Sequence, residues 1–123
     1  MNTKRLGDRG EEAAAKFLAN KGYKILARQF RTPLGELDLV ARDGGTLVFV
    51  EVKTRRSLRF GLPSDAVGVT KQRKIIRSSM WYIGAELNNS ETPPCRFDVI
   101  EVYVPPGGAW HIRHFENAFD ACL

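Results

Sequence analysis

The glycine pair Gly44-Gly45 constrains this chain more than any other feature. It separates the segments "GELDLVARD" and "TLVFVEVKT", both rich in Val, Leu and Phe or Ala yet carrying charges at every second position of their far ends. A Gly-Gly pair between two such segments predicts a β-hairpin, because the tight turns that join twisted strands need positive φ. The strands should run from about Glu36 to Arg42 and from Thr46 to Thr54. With a two-residue loop, Asp43 faces Thr46, Val40 faces Phe49, Asp38 faces Glu51 and Glu36 faces Lys53. A longer loop of even length keeps that register, and one of odd length breaks it.

Side chains alternate faces along a strand. Glu36, Asp38, Glu51 and Lys53 should therefore share one face, with Leu37, Leu39, Val50 and Val52 entering an apolar layer on the other. Opposed residues have Cβ atoms only about 4.5–5.5 Å apart, and two carboxylates at that distance repel and resist ionisation. A hairpin built only for stability would avoid the arrangement. Lys53, itself opposite Glu36, cannot neutralise three acids. A hard divalent ion can: Mg²⁺ or Mn²⁺ takes oxygen ligands and keeps positions open for water and phosphate. Asp38 and Glu51 form such a pair, and Lys53 stands two residues beyond Glu51, close enough to orient or deprotonate a water aimed at a phosphodiester. The alternative is a plain charge ladder on a solvated sheet face, with Glu36–Lys53 as a cross-strand pair.

The rest of the chain supplies elements to pack on this hairpin. A helix is expected from about Asp8 to Asn20, where Ala14, Phe17 and Leu18 recur at helical spacing before Gly22. Tyr23 to Phe30 reads as a strand, and Thr70 to Leu87 as a long helix striped by Ile75, Ile76, Met80 and Ile83. Arg96 to Val104 and Ala109 to Phe115 read as two further strands, followed by a short helix over Asn117 to Cys122. The order α-β-β-β-α-β-β-α implies an α/β architecture, a central mixed sheet flanked by helices. At 123 residues, a single domain over 1–123 is expected.

The 19 Lys and Arg against 14 Asp and Glu give a formal charge of +5, which favours a polyanionic partner such as nucleic acid. Basic residues concentrate in "KTRRSLR" and "KQRKIIR". Cys95 and Cys122 have no paired metal spacing, so zinc is not indicated. Two thiols without an apolar leader fit a cytoplasmic location, and no apolar run approaches the roughly 20 residues that span a bilayer.

"GELD" followed by "VFVEVKTRR" resembles the YraN-like family of small bacterial proteins, itself similar to PD-(D/E)XK nucleases and, among them, to archaeal Holliday junction resolvases. The likeness extends to "GDRGEEAAAKFL", "GYKILARQFR", "RFG", "KQRKI" and "RFDVIEV". It implies a restriction-endonuclease-like fold, a metal-dependent endonuclease, branched or structured DNA as substrate, and a possible homodimer by analogy. It places the metal-binding acids on Asp38 and Glu51 and the active lysine on Lys53. A further acid from the first helix falls on Glu11, with Glu12 as the neighbouring alternative about 100° round the helix. The Pro of the superfamily motif is replaced by Leu37.

Arg55, Arg56 and Arg59 follow the active strand and suit phosphate contacts, which position DNA without reading its sequence. Lys71, Gln72 and Lys74 on the long helix suit the same role, or a solvated helix face. His111 and His114 are expected at a strand edge, pointing to opposite faces. A catalytically weak or inactive nucleic-acid-binding module of the same fold is the rival reading, and a docking protein with a charged face is a third.

Overall fold

The computed structural model describes residues 3–56, 67–87 and 92–121. Helix α1 (Thr3–Asn20) is followed by strands β1 (Lys24–Thr32), β2 (Gly35–Asp43) and β3 (Thr46–Arg55), helix α2 (Val69–Glu86), and strands β4 (Cys95–Tyr103) and β5 (His111–Phe119). The strands form one sheet in the order β1-β2-β3-β4-β5. All neighbours are antiparallel except β3 and β4, which run parallel and are joined through α2. The mixed sheet flanked by helices is the restriction-endonuclease-like α/β arrangement. Among the described residues one expected element is absent. β5 continues as strand to Phe119, across the first half of the span Asn117 to Cys122 where a terminal helix was expected, and Cys122 lies outside the described residues. Pairing with β4 accounts for this, since Phe119 reaches back to face Phe97.

α1 ends because the chain turns left-handed at Gly22, with φ 94°. Tyr23 N–H donates to the Leu18 carbonyl and Gly22 N–H to that of Ala19, at 3.0 Å each. This pair is the Schellman closure, which fills the last carbonyls of a helix. The hairpin turns at Gly44 with φ 60°, while Gly45 keeps an ordinary φ. That is the φ pattern of a type II′ turn, so one glycine does what two were expected to do.

The two faces of the sheet carry separate cores. Ala14, Ala15 and Leu18 of α1 pack on Leu39, Ala41, Val48, Val50, Val52, Ile100 and Val102. Ile75, Ile76 and Tyr82 of α2 pack on Leu37, Val40, Leu47, Phe49, Phe97 and Val99. Both faces of the sheet therefore bury apolar side chains under a helix. Leu37 and Leu39, two apart, enter different cores, so the alternation of β2 slips by one at Asp38.

A buried polar network ties the turn between α1 and β1 to β4 and β5 on the α1 side. Arg96 donates through Nε and a terminal nitrogen to both oxygens of Asp98, at 2.9 and 3.0 Å. Asn117 N–H donates to Asp98 Oδ1 at 2.9 Å, and His114 Nε2 lies 2.7 Å from Oδ2. Lys21 Nζ, which can only donate, sits 2.9 Å from His114 Nδ1, so that nitrogen accepts and the proton of the neutral ring is on Nε2. Burial pushes Asp98 up, but the bonds from His114, Arg96 and Asn117 outweigh it and hold the carboxyl below its ordinary value. His114 lies on the edge strand β5, as expected, but its side chain points inward and is only 3% exposed. Asp98, in the alternation of β4, points the same way as Ile100 and Val102 and needs this partner.

Candidate metal centre

The ladder between β2 and β3 has the predicted register from Asp43↔Thr46 as far as Leu39↔Val50, and there it stops. Continued, it would bring Val52 opposite Leu37. Instead Val52 N–H donates to the side chain of Asp38, Oδ2 at 2.9 Å. The strands part at this point, and Asp38 fills the gap with a carboxylate in place of a ladder carbonyl. The expected Glu36–Lys53 cross-strand pair is absent for the same reason. Glu36 lies 3.6 Å from Arg31, and Lys53 turns to Glu51.

α1 closes the gap from above. Gly10 packs directly on Thr54 of β3: a Cβ there would overlap Thr54 Oγ1 and stand 3.0 Å from Thr54 Cβ. That contact brings the next residue, Glu11, over the parting strands. Carboxylate oxygens of Glu11, Glu36 and Asp38 all lie within 4.8 Å of one another. Glu12 points away and pairs with Lys16 at 3.5 Å, so Glu11 is the acid that faces the cleft. Glu51, 5% exposed, joins the group through Asp38, which acts on it as a like charge and as a hydrogen-bonding partner. The four acids line one cleft of about 600 Å³, together with Lys4, Asp8 and Gln29.

The electrostatics follow from burial. Loss of solvent, then the charge of Asp38, push Glu51 up to about 8, against the opposing pull of Lys71 and Lys53. Loss of solvent pushes Glu11 up to about 7; the hydrogen bond from Gln29 works against this, and the charges of Asp38 and Glu36 add to it. Lys53 Nζ lies 3.8 Å and Lys71 Nζ 3.9 Å from the same oxygen, Glu51 Oε1. Lys71 reaches it from the first turn of α2, so strand and helix each supply one ammonium.

The other basic residues singled out in the sequence are distributed differently. Arg55 pairs with Glu101 at 3.4 Å, and Gln72 donates to the Val67 carbonyl at 2.8 Å, so both have partners within the fold. Arg56 lies with Trp110 and the Pro105–Gly108 turn beside a different cleft, and Lys74 is exposed on α2. Arg59 falls outside the described residues. Five charged or amide-bearing residues of the cleft were not anticipated as site residues: Lys4, Asp8, Gln29, Arg31 and Glu36. Glu36 was visible in the charge pattern, but an unbroken ladder would have paired it with Lys53. Gln29 carries no sequence signal, because its placement depends on a backbone conformation.

The family model described as "Uncharacterised protein family UPF0102" matches residues 10–102, a stretch that holds every one of these acids except Asp8. The chain belongs to the UPF0102 family. UPF0102 is the YraN-like family that the sequence resembles. A UPF0102 protein of Symbiobacterium thermophilum is 53% identical over 119 residues, covering 97% of this chain and 99% of its own length. UPF0102 proteins of Caldicellulosiruptor saccharolyticus and Clostridioides difficile are 50% and 43% identical, covering 85% and 97% of this chain and 86% and 100% of their own. Among the described residues no helix is long and apolar enough to cross a membrane.

Proposed function

We propose that this UPF0102 protein is a divalent-metal-dependent endonuclease that hydrolyses phosphodiester bonds in DNA. The observation that carries the reading is Glu51: a buried carboxyl pressed against Asp38, with two lysine ammoniums on one of its oxygens. Acids held together at such electrostatic cost fit a hard cation, because carboxylate oxygens are the donors that Mg²⁺ and Mn²⁺ prefer. Asp38 and Glu51 would hold the ion, with Glu11 and Glu36 contributing directly or through water. Bound there, the ion would supply Lewis-acid polarisation of the phosphate and acidification of a water.

The protein's own groups divide the remaining work. Lys53 holds the attacking water in line with phosphorus and offsets charge on the phosphoryl oxygens as the bond to the leaving oxygen breaks. Lys71, on the other side of Glu51, holds a neighbouring phosphate. Lys4 and Arg31 extend that positive rim around the acids. The preference for branched or structured DNA rests on the resemblance to Holliday junction resolvases.

The test is cleavage of linear, nicked, flapped and four-way DNA with Mg²⁺, Mn²⁺ or EDTA. Mg²⁺ or Mn²⁺ should support cleavage and EDTA abolish it. Asp38→Asn and Lys53→Ala should each lower the rate by about 10²-fold or more while circular dichroism stays native. DNA retained in EDTA and never nicked under any condition would leave a binding module in place of an enzyme.

A further inference from the structure

Gln29 has φ 47°, a left-handed conformation in the middle of β1. Glycine adopts it freely, and among other residues Asn and Asp do so far more readily than Gln. Gln29 is exposed, so core packing does not impose the shape. Its neighbours Arg28 and Phe30 face Leu39 and Leu37, which puts Gln29 opposite Asp38, where the alternation of β2 slips. The conformation turns the carboxamide into the cleft. There Nε2 donates to Glu11 Oε2 at 2.6 Å and to Asp8 Oδ1 at 2.9 Å.

We infer that Gln29 is a positioning residue that fixes the Glu11 carboxylate beside Asp38 for a divalent cation. The inference rests on the metal-dependent reading above. The chemistry of the donor supports it. Glu11, Glu36 and Asp38 repel one another, so Glu11 needs an N–H to stay in the cluster. A lysine or arginine would supply one, but its charge would occupy the place of the ion. A carboxamide supplies two N–H protons, one for each acid it touches, and leaves the negative charge undiminished. Backbone strain persisting at an exposed position, with this contact as its result, is the pattern expected where function retains a conformation.

The test separates holding the fold from holding the ion. Mn²⁺ is titrated into the full-length protein and followed by electron paramagnetic resonance, with thermal unfolding of the metal-free protein measured in parallel. The wild type should bind, and Asp38→Asn should not. Gln29→Gly accepts φ 47° without strain, so it should unfold no earlier than the wild type yet bind Mn²⁺ about tenfold or more weakly, the usual loss when a ligand's supporting hydrogen bond is removed. Gln29→Lys keeps the reach and the backbone preference but adds a charge, and should bind more weakly still. Wild-type affinity in either Gln29 variant, with Asp38→Asn inactive in binding, overturns the role of Gln29 and leaves the cation site standing. No binding by the wild type overturns the cation reading, and this inference with it.

Discussion

Glu51 concentrates the conflict between stability and chemistry in one side chain. Its carboxyl has a folded-state value of about 8 against an ordinary 4.5. Between those values the metal-free folded protein holds a proton that the unfolded chain has released. Stability must therefore fall as pH rises through that window, by the linkage between proton uptake and unfolding. The contribution is complete below about 4.5 and gone above about 8. Asp38, Lys53 and Lys71 all face this carboxyl, and the two lysines moderate the effect without reversing it. Glu51→Gln, neutral at every pH, should match the wild type near pH 5 and exceed it in urea midpoint near pH 8.5. Adding Mg²⁺ at pH 8.5 should raise the wild-type midpoint, since binding to the folded state alone is stabilising, and leave the variant where it was. A wild-type midpoint flat across that range would mean that the carboxyl is neither buried nor crowded as described.

At the scale of elements, the site depends on how closely α1 lies on β3. Gly10 permits that approach, and Glu11 is placed by it. Gly10→Ala is a sharp test because two effects oppose each other. Alanine favours a helix interior by about 1 kcal/mol, whereas forcing a methyl into a packed contact costs about 1–3 kcal/mol. The overlap with Thr54 Oγ1 should win, lowering stability in urea and weakening Mn²⁺ binding together as Glu11 is lifted away. Thr54→Ala in the same protein should restore part of both. Gain of stability with unchanged Mn²⁺ binding would show that α1 has room to spare. Elements were also where the sequence read best and failed most instructively. The register of the hairpin followed from one glycine pair, and holds from Asp43↔Thr46 to Leu39↔Val50. Its end at Asp38 did not follow, because periodicity describes regular strands and the candidate site lies where β2 stops being regular. The same limit hid Asp98 and His114. Three-residue spacing places a histidine on a face but does not say what lies over it, and here Phe17 and Tyr23 cover the ring edge-on. β5 ran past its expected end for a related reason: the partner Phe97 lies more than twenty residues earlier in the chain, beyond the reach of local propensity.

For the whole molecule, the net charge of +5 and the acidic cleft pull in opposite directions. On the proposed function, DNA should be drawn to the positive groups Lys4, Arg31, Lys53 and Lys71, while the phosphate to be cut would have to settle over four carboxylates. The rim should set how strongly affinity depends on salt, since each phosphate neutralised releases counterions. The cleft should set how strongly affinity depends on divalent ions. These dependences separate in Lys53→Ala, which should bind without cutting. At constant ionic strength, replacing EDTA by Mg²⁺ should tighten its binding to DNA, while leaving the slope of log affinity against log salt nearly unchanged. Adding Lys71→Ala should reduce that slope by about one, with a similar loss for every DNA tested, because an ammonium on a phosphate carries no sequence information. Asp38→Asn should instead leave the slope alone and remove the gain from Mg²⁺. If Mg²⁺ made no difference to Lys53→Ala, the phosphate would not lie over the acids, and the positive rim would belong to a surface that holds DNA without acting on it.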